Sequence, residues 1–101
     1  MTVIRTWTGV IRTDDRDDYR DYIAATGLDG YRSTPGNIDA WMLYRDRTDG
    51  TTEVVTVSLW ESHEAIRGFA GDDITVARFY PQDDHYLIER DLEVKHYEVV
   101  G

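Results

Sequence analysis

The 101-residue sequence has no cysteine, only two prolines and few basic side chains. Without cysteine the chain can form no disulfide, thiol nucleophile or cysteine-bound metal site. Eleven basic residues stand against twenty acidic ones, which gives a formal net charge of −9. A surface of this sign repels phosphate backbones and anionic headgroups, so we expect neither nucleic acid nor a membrane as a partner.

Long apolar runs and phosphate-binding loops are also missing. No hydrophobic stretch could span a bilayer and residues 2–12 contain no signal-peptide core, so we expect a cytoplasmic protein. No glycine-rich phosphate loop or Rossmann fingerprint indicates a nucleotide, and we expect no cofactor. Hydrophobic residues nevertheless make up 41% of the chain and aromatic residues 12%. This composition predicts a folded protein with a single domain over residues 1–101.

Strand and helix patterns alternate along the chain. Four segments are rich in strand-forming residues, at 2–12, 37–47, 52–61 and 92–100. Asp49-Gly50 is a hairpin signal that pairs the middle two segments. Helical periodicity follows the first and third strands. The order strand, helix, strand, strand, helix, strand predicts an α+β, ferredoxin-like fold with an antiparallel sheet.

Local signals predict where the helices begin and end. Thr13 predicts the start of the first helix and Gly27 its end, and a turn-rich loop then leads to the second strand. Ser62 predicts the N-cap of the second helix. Two further short helical turns, after Asp72 and Asp83, are predicted before the last strand.

Both faces of the predicted sheet carry apolar side chains. Strand residues alternate between faces, so Val55, Val57 and Leu59 share one face while Trp60 lies on the other. The two helices can cover one face, and a second copy of the chain is the simplest cover for the other. We therefore predict a homodimer. The alternative is a monomer in which residues 72–90 fold over the open face.

Three segments of the chain form a recognisable set of motifs. They are Leu59-Trp60-Glu61-Ser62-His63-Glu64-Ala65-Ile66 with Phe69-Ala70-Gly71-Asp72, then Thr34-Pro35-Gly36-Asn37, and Tyr80-Pro81 through Tyr86-Leu87 with His96-Tyr97-Glu98-Val99. Over nearly the whole chain they resemble the antibiotic-biosynthesis-monooxygenase-like family. The resemblance implies ferredoxin-like protomers whose sheets join as a dimeric α+β barrel. Members of the family include cofactor-free oxygenases of aromatic polyketides and heme-degrading enzymes.

The resemblance implies a cofactor-independent monooxygenase that acts with O₂ on a small hydrophobic, aromatic, polyketide-like molecule. Such chemistry needs a base, a group that stabilises an anion, and a dry cavity. His96 is the candidate base because imidazole titrates near neutral pH, and Trp60 is a second candidate catalytic residue. The candidate substrate-binding residues are Arg5, Trp7, Met42, Tyr44, Thr56 and Ser58.

Other functions remain open at this point. The same pocket could hold an apolar ligand in a non-catalytic dimer, with Trp60 and His96 as structural side chains. Heme degradation is a third hypothesis, and Trp60 matches its pattern. That pattern also has an Asn on the first strand, where Trp7 stands, and a His within the second helix, where only His63 in the first turn is present. A metal site built from His63, His85 and His96 has no motif spacing to support it, and we predict no metal.

Overall fold

The computed structural model describes all 101 residues and contains one antiparallel sheet. Its strands are β1 (Val3–Arg12), β2 (Asn37–Asp46), β3 (Thr51–Trp60), β4 (Leu87–Arg90) and β5 (Lys95–Glu98). The order is β2-β3-β1-β4, and β5 also pairs with β1. β4 and β5 therefore form one broken edge strand beside the central β1. The predicted α+β, ferredoxin-like fold is confirmed.

The first helical segment extends farther than the sequence predicts. A 3-10 turn (Thr13–Asp15) leads into α1 (Arg16–Ile23), a π-helical turn (Ala24–Leu28) and α2 (Asp29–Ser33). The prediction that Gly27 ends the helix is wrong, and so is the predicted loop over the residues of α2. Leu28 and Tyr31 are buried in the core. Their burial outweighs the roughly 1 kcal/mol that a glycine costs inside a helix.

Two local signals in the middle of the chain are confirmed. The β2–β3 hairpin turns at Gly50, whose φ of 83° is a left-handed conformation that favours glycine. Ser62 caps α3 (His63–Ala70), because Ala65 N donates a 3.1 Å hydrogen bond to Ser62 Oγ. The cap begins α3 immediately after β3 and directs Phe69 into the core.

The C-terminal third differs from the prediction. No helix follows Asp72, and residues 72–82 form an irregular segment. The short helix α4 (Asp83–Tyr86) does form, but Asp83 is its first residue and Gln82 is its N-cap. The predicted strand over 92–100 is reduced to β5. No helix in the chain is both long and apolar enough to cross a membrane.

Hydrogen bonds explain why the last strand is broken. Between β4 and β5 the chain leaves β1 and pairs with the irregular segment. Ala77 N donates to Leu92 O at 2.9 Å, and Val94 N donates to Thr75 O at 2.8 Å. These bonds hold residues 74–80, here called the cap segment, against the molecule.

The sheet is covered on one face only. The helices and the cap segment pack on the face that carries Arg5 and Trp7, where 14 buried residues form one core cluster. On the opposite face Trp41 remains 41% exposed and Leu43 51% exposed. The cap segment thus lies on the helical side of the sheet, and the open face that the monomeric alternative would cover stays open.

Candidate active site

A small aromatic cavity lies between the sheet and the cap segment. Nine of its 14 lining residues are hydrophobic, and its volume is about 40 Å³. At ~10–15 Å³ for each water, this is room for about three waters. Its walls include Tyr19 and Tyr31 from the helical segment, Phe69 from α3, and Phe79 and Tyr80 from the cap segment. Any ligand larger than a few waters must therefore displace part of the wall.

Trp7 forms a fixed part of the cavity wall. A Cβ atom at Gly9 would lie only 2.5 Å from Trp7 Cη2, so the glycine makes space for the indole ring. Trp7 Nε1 donates to Asp91 O at 2.8 Å. Phe79 meets the indole edge-on, with ring centroids 6.2 Å apart. These contacts on both sides leave the ring little freedom.

Arg5 brings a positive charge into this cavity. Its side chain is only 1% exposed. Nη1 donates to Ile74 O at 2.5 Å and Nη2 donates to Val76 O at 3.3 Å, so two cap-segment carbonyls hold the guanidinium. None of the ion pairs in the chain includes Arg5, and its Nε has no hydrogen-bond partner.

Burial lowers the pKa of Arg5 below its ordinary value, although a guanidinium stays charged at neutral pH. A buried cation without a counter-ion is costly and attracts an anion. The arrangement can therefore stabilise negative charge on a ligand in the cavity.

His96 contacts Arg5 but does not line the cavity. Its Nε2 lies 3.1 Å from Arg5 Nη1, so Nε2 accepts the hydrogen bond and we assign the ring proton to Nδ1. Burial, followed by the charges of Arg5 and His63, lowers the pKa of His96 to about 4. Such a group is a weak base at neutral pH. The geometry favours His96 as a residue that positions Arg5.

Asp83 is a second buried charge in the cavity wall. Its side chain is 4% exposed, and its Oδ2 accepts a 2.6 Å hydrogen bond from Tyr80 N. Asp83 Oδ1 and Tyr22 Oη are both buried outside hydrogen-bond geometry, although the Tyr22 hydroxyl lies close enough to the Asp83 carboxylate to interact with it. Burial and the Asp83 carboxylate raise the pKa of Tyr22 to about 12. The sequence around Asp83 shows only a helix start, so no local signal could have indicated this site.

The cap segment contributes another cation that sequence reasoning missed. Arg78 Nη1 donates to Phe69 O at 3.0 Å. Its guanidinium carbon lies 5.0 Å from the centroid of Phe69 and 5.2 Å from that of Tyr80. Gly30 makes space for Tyr80, since a Cβ there would lie 2.8 Å from Tyr80 Oη. The cap segment shows neither helical nor strand periodicity. Without periodicity the sequence does not indicate which of its side chains face the core.

Besides His96, four of the predicted site residues lie outside the cavity wall. Trp60 is fully buried, and its Nε1 donates to Ser58 Oγ at 2.8 Å. Met42 packs against the core, and Tyr44 Oη donates to Arg16 O at 2.9 Å. The predicted residues that do line the cavity are Arg5, Trp7 and Thr56.

Neither a metal site nor a heme site fits these residues. The structure contains no group of three or more His, Asp or Glu side chains that could hold a metal ion. The rings of His63 and His96 approach to 5.9 Å, but neither residue lines the cavity. No histidine lines the cavity, so its wall offers no imidazole to ligate a heme iron.

Solved structures share this architecture. The chain superposes on a candidate antibiotic biosynthesis monooxygenase from Bacillus cereus with a TM-score of 0.69, at 22% identity over 100% of this chain and 93% of that one. The fold is that of the antibiotic biosynthesis monooxygenase-like proteins. At this identity the match confirms the predicted resemblance at the level of the fold.

Two further structures with the antibiotic biosynthesis monooxygenase-like fold have different described activities. SnoaB from Streptomyces nogalater, a cofactor-independent oxygenase, matches with a TM-score of 0.59 and 15% identity over 99% of this chain and 93% of its own. A heme-degrading protein from Mycobacterium tuberculosis matches with a TM-score of 0.62 and 18% identity over 99% and 95%. No family model and no curated protein matches the sequence. The fold therefore admits both chemistries, and the residues of the cavity must distinguish them.

Proposed function

We propose that the chain is a cofactor-independent monooxygenase that oxidises a small hydrophobic, aromatic substrate with O₂. The observation that carries the proposal is Arg5, a buried guanidinium without a carboxylate partner in the wall of an aromatic cavity. Burying an unpaired charge costs several kcal/mol before its hydrogen bonds are counted, and groups of this kind cluster at functional sites. The fold shared with SnoaB adds support, and the poor fit to heme argues against heme degradation.

The proposed reaction takes its electrons from the substrate. An activated methylene group of the aromatic substrate loses a proton, and Arg5 stabilises the resulting enolate or phenolate oxygen. The carbanion then reduces O₂. One oxygen atom becomes the carbonyl oxygen of the product and the other leaves as water, so CH₂ and O₂ give C=O and H₂O without an external reductant. A substrate that fills the cavity displaces its water, which strengthens the attraction between Arg5 and the anion.

Substrate entry must open the cavity. The cap segment supplies the carbonyls of Ile74 and Val76 that hold Arg5 in the closed structure. If the cap segment moves aside, the anionic oxygen of the substrate can take the place of these carbonyls on the guanidinium. His96 lies on β5, outside the cap segment, and can hold Arg5 in position during the exchange.

Oxygen uptake with dithranol, a dihydroxyanthrone with an acidic methylene group, tests the proposal. Arg5→Met should lower kcat/KM by about 100-fold, as loss of one anion-stabilising donor does in other enzymes. Arg20→Met is the matched control because the Arg20 side chain is 59% exposed. Binding of dithranol without oxygen uptake would indicate a non-catalytic binding protein. Equal uptake by wild type and Arg5→Met would refute the role of Arg5.

We also propose that the chain is a homodimer that pairs through the open face of its sheet. This face carries Trp41 and Leu43 on β2 and Tyr97 on β5, all between 41% and 52% exposed. Val55 and Val57 on β3 lie between them in the pairing register and continue the apolar surface. Apolar sheet faces of this kind are covered in stable proteins. Sedimentation equilibrium at micromolar concentration should give twice the mass of one chain, and a monomer would contradict the proposal.

A further inference from the structure

Asp83 is a buried carboxylate that no cation neutralises. None of the ion pairs of the chain includes it, although Arg5 and Arg78 line the same cavity. Its side chain is 4% exposed. A carboxylate in this position forfeits its hydration and gains no ion pair in return. Its one defined hydrogen bond, from the Tyr80 amide, needs only a neutral acceptor.

The two oxygens of Asp83 have different surroundings. Oδ2 accepts the Tyr80 amide hydrogen at 2.6 Å, which fixes the carboxylate at the start of α4. Oδ1 is buried and has no hydrogen-bond partner. One oxygen is therefore anchored, and the other has only the neighbouring Tyr22 hydroxyl as a potential donor, so it keeps a lone pair that can accept a proton from a substrate once the cavity opens.

Arg5 and Asp83 line one cavity as unpaired opposite charges. A substrate with a carbonyl or phenolate oxygen and an acidic C–H group could use both, with its oxygen at Arg5 and its C–H at Asp83. In such a substrate the carbon that loses the proton and the oxygen that takes up the negative charge are different atoms, so two different groups can act on them. Both charges would then have a partner when such a substrate is bound.

We infer that Asp83 is the catalytic base, and that its Oδ1 removes the proton from the acidic carbon of the substrate. The C–H bond breaks, its electron pair moves into the enolate held by Arg5, and the proton forms a carboxylic acid at Oδ1. This inference rests on the proposed monooxygenase function for its substrate class. It differs from the role first predicted for His96, whose Nε2 already accepts a hydrogen bond from Arg5.

Asp83→Asn separates this role from a structural one. The amide oxygen of Asn can still accept the Tyr80 hydrogen bond, so a purely structural Asp83 would tolerate the change, while the amide cannot act as a base. Asp84→Asn makes the same chemical change at the next position. Asp84 is a suitable control because its side chain is 88% exposed and pairs only with Arg90 at the surface.

The experiment is hydrogen–deuterium exchange at the dithranol methylene, in D₂O without oxygen, followed by mass spectrometry. Exchange needs the base but not O₂, so it is independent of oxidation. We expect wild type and Asp84→Asn to accelerate exchange equally. Asp83→Asn should lower the protein-dependent rate by about 100-fold or more, the usual contribution of a general base. Asp83→Ser keeps an oxygen for Tyr80 and replaces Asp83→Asn if that variant does not fold.

Two outcomes would overturn the inference. Exchange that persists in Asp83→Asn places the base elsewhere. A wild type that fails to accelerate exchange also excludes Asp83 as the base, and oxygen uptake then decides whether the proposed function fails with it. If the wild type still consumes oxygen with dithranol, the proposed function stands without this base.

Discussion

Replacing Arg5 with Met tests whether the buried Arg5 guanidinium serves to bind a ligand or to stabilise the fold. Met is somewhat shorter than Arg but flexible and uncharged, so it can fill most of the space of the Arg5 side chain. No carboxylate pairs with Arg5, so the substitution leaves no uncompensated buried anion. We therefore expect the folded protein to tolerate the change, even though Arg5 is one of its most buried side chains.

The size of the effect follows from the contacts of Arg5. Burial of the guanidinium costs several kcal/mol. The hydrogen bonds to Ile74 O and Val76 O return about 1.5–3 kcal/mol each. The Phe69 ring, 5.8 Å from the guanidinium carbon, adds about 1 kcal/mol. Cost and gain nearly cancel, and Ile74 and Val76 are partly exposed, so water can satisfy the carbonyls that Arg5→Met frees. The free energy of unfolding should therefore change by no more than about 1 kcal/mol.

Urea unfolding and thermal melting of Arg5→Met give the measurement, with Arg20→Met as the control. For a domain of this size the expected change corresponds to about 4–8 °C or less in Tm. A loss of 3 kcal/mol or more, the range of ~3–5 kcal/mol for a broken buried ion pair, would refute the reasoning. It would show that Arg5 holds the cap segment as part of the fold. Unchanged stability with lost oxygen uptake would support a ligand-binding role.

The remaining predictions concern acid stability and assembly. Because the folded pKa of His96 is about 4 and its ordinary value is 6.5, the unfolded chain binds the proton first as the pH falls. Stability should therefore decrease from about pH 6.5 towards pH 4, by about 1 kcal/mol at pH 5 after allowance for partial exposure. Urea unfolding of His96→Asn, which keeps an acceptor for Arg5, should show a smaller decrease; an unchanged decrease would contradict the assignment. Trp41→Glu on the open face should dissociate the homodimer in sedimentation experiments while leaving the far-UV spectrum unchanged, and a dimer that survives would place the interface elsewhere.

The sequence by itself determined the parts of the fold that depend on local chemistry. Alternating side chains define β1 and β3 because neighbouring residues of a strand face opposite ways. Gly50 marks the hairpin because its backbone conformation favours glycine, and Ser62 marks α3 because its hydroxyl satisfies a free amide. The same alternation puts Arg5 and Trp7 on one face of β1 and Thr56 and Trp60 on one face of β3, and the pairing of the strands brings Arg5, Trp7 and Thr56 to the cavity.

Predictions from local sequence were wrong where burial against distant residues decides the structure. The helical segment continues past Gly27 because Leu28 and Tyr31 are buried behind it. The last strand breaks because residues 92–94 pair with the cap segment, a contact between parts of the chain that no periodic pattern connects. In both places the tertiary contacts contribute more free energy than the local preference.

Only the tertiary structure decided which side chains form the cavity. Trp60 shares a sheet face with Trp7, yet it is enclosed by the core, because the elements packed above each strand position determine what surrounds a side chain. Asp83 looked like a helix start in the sequence and became a cavity residue when α4 packed beside the cap segment. The alternating pattern of a strand determines the face to which a side chain points. How the layers pack determines which residues surround that side chain, and hence whether Arg5 can bind an anion.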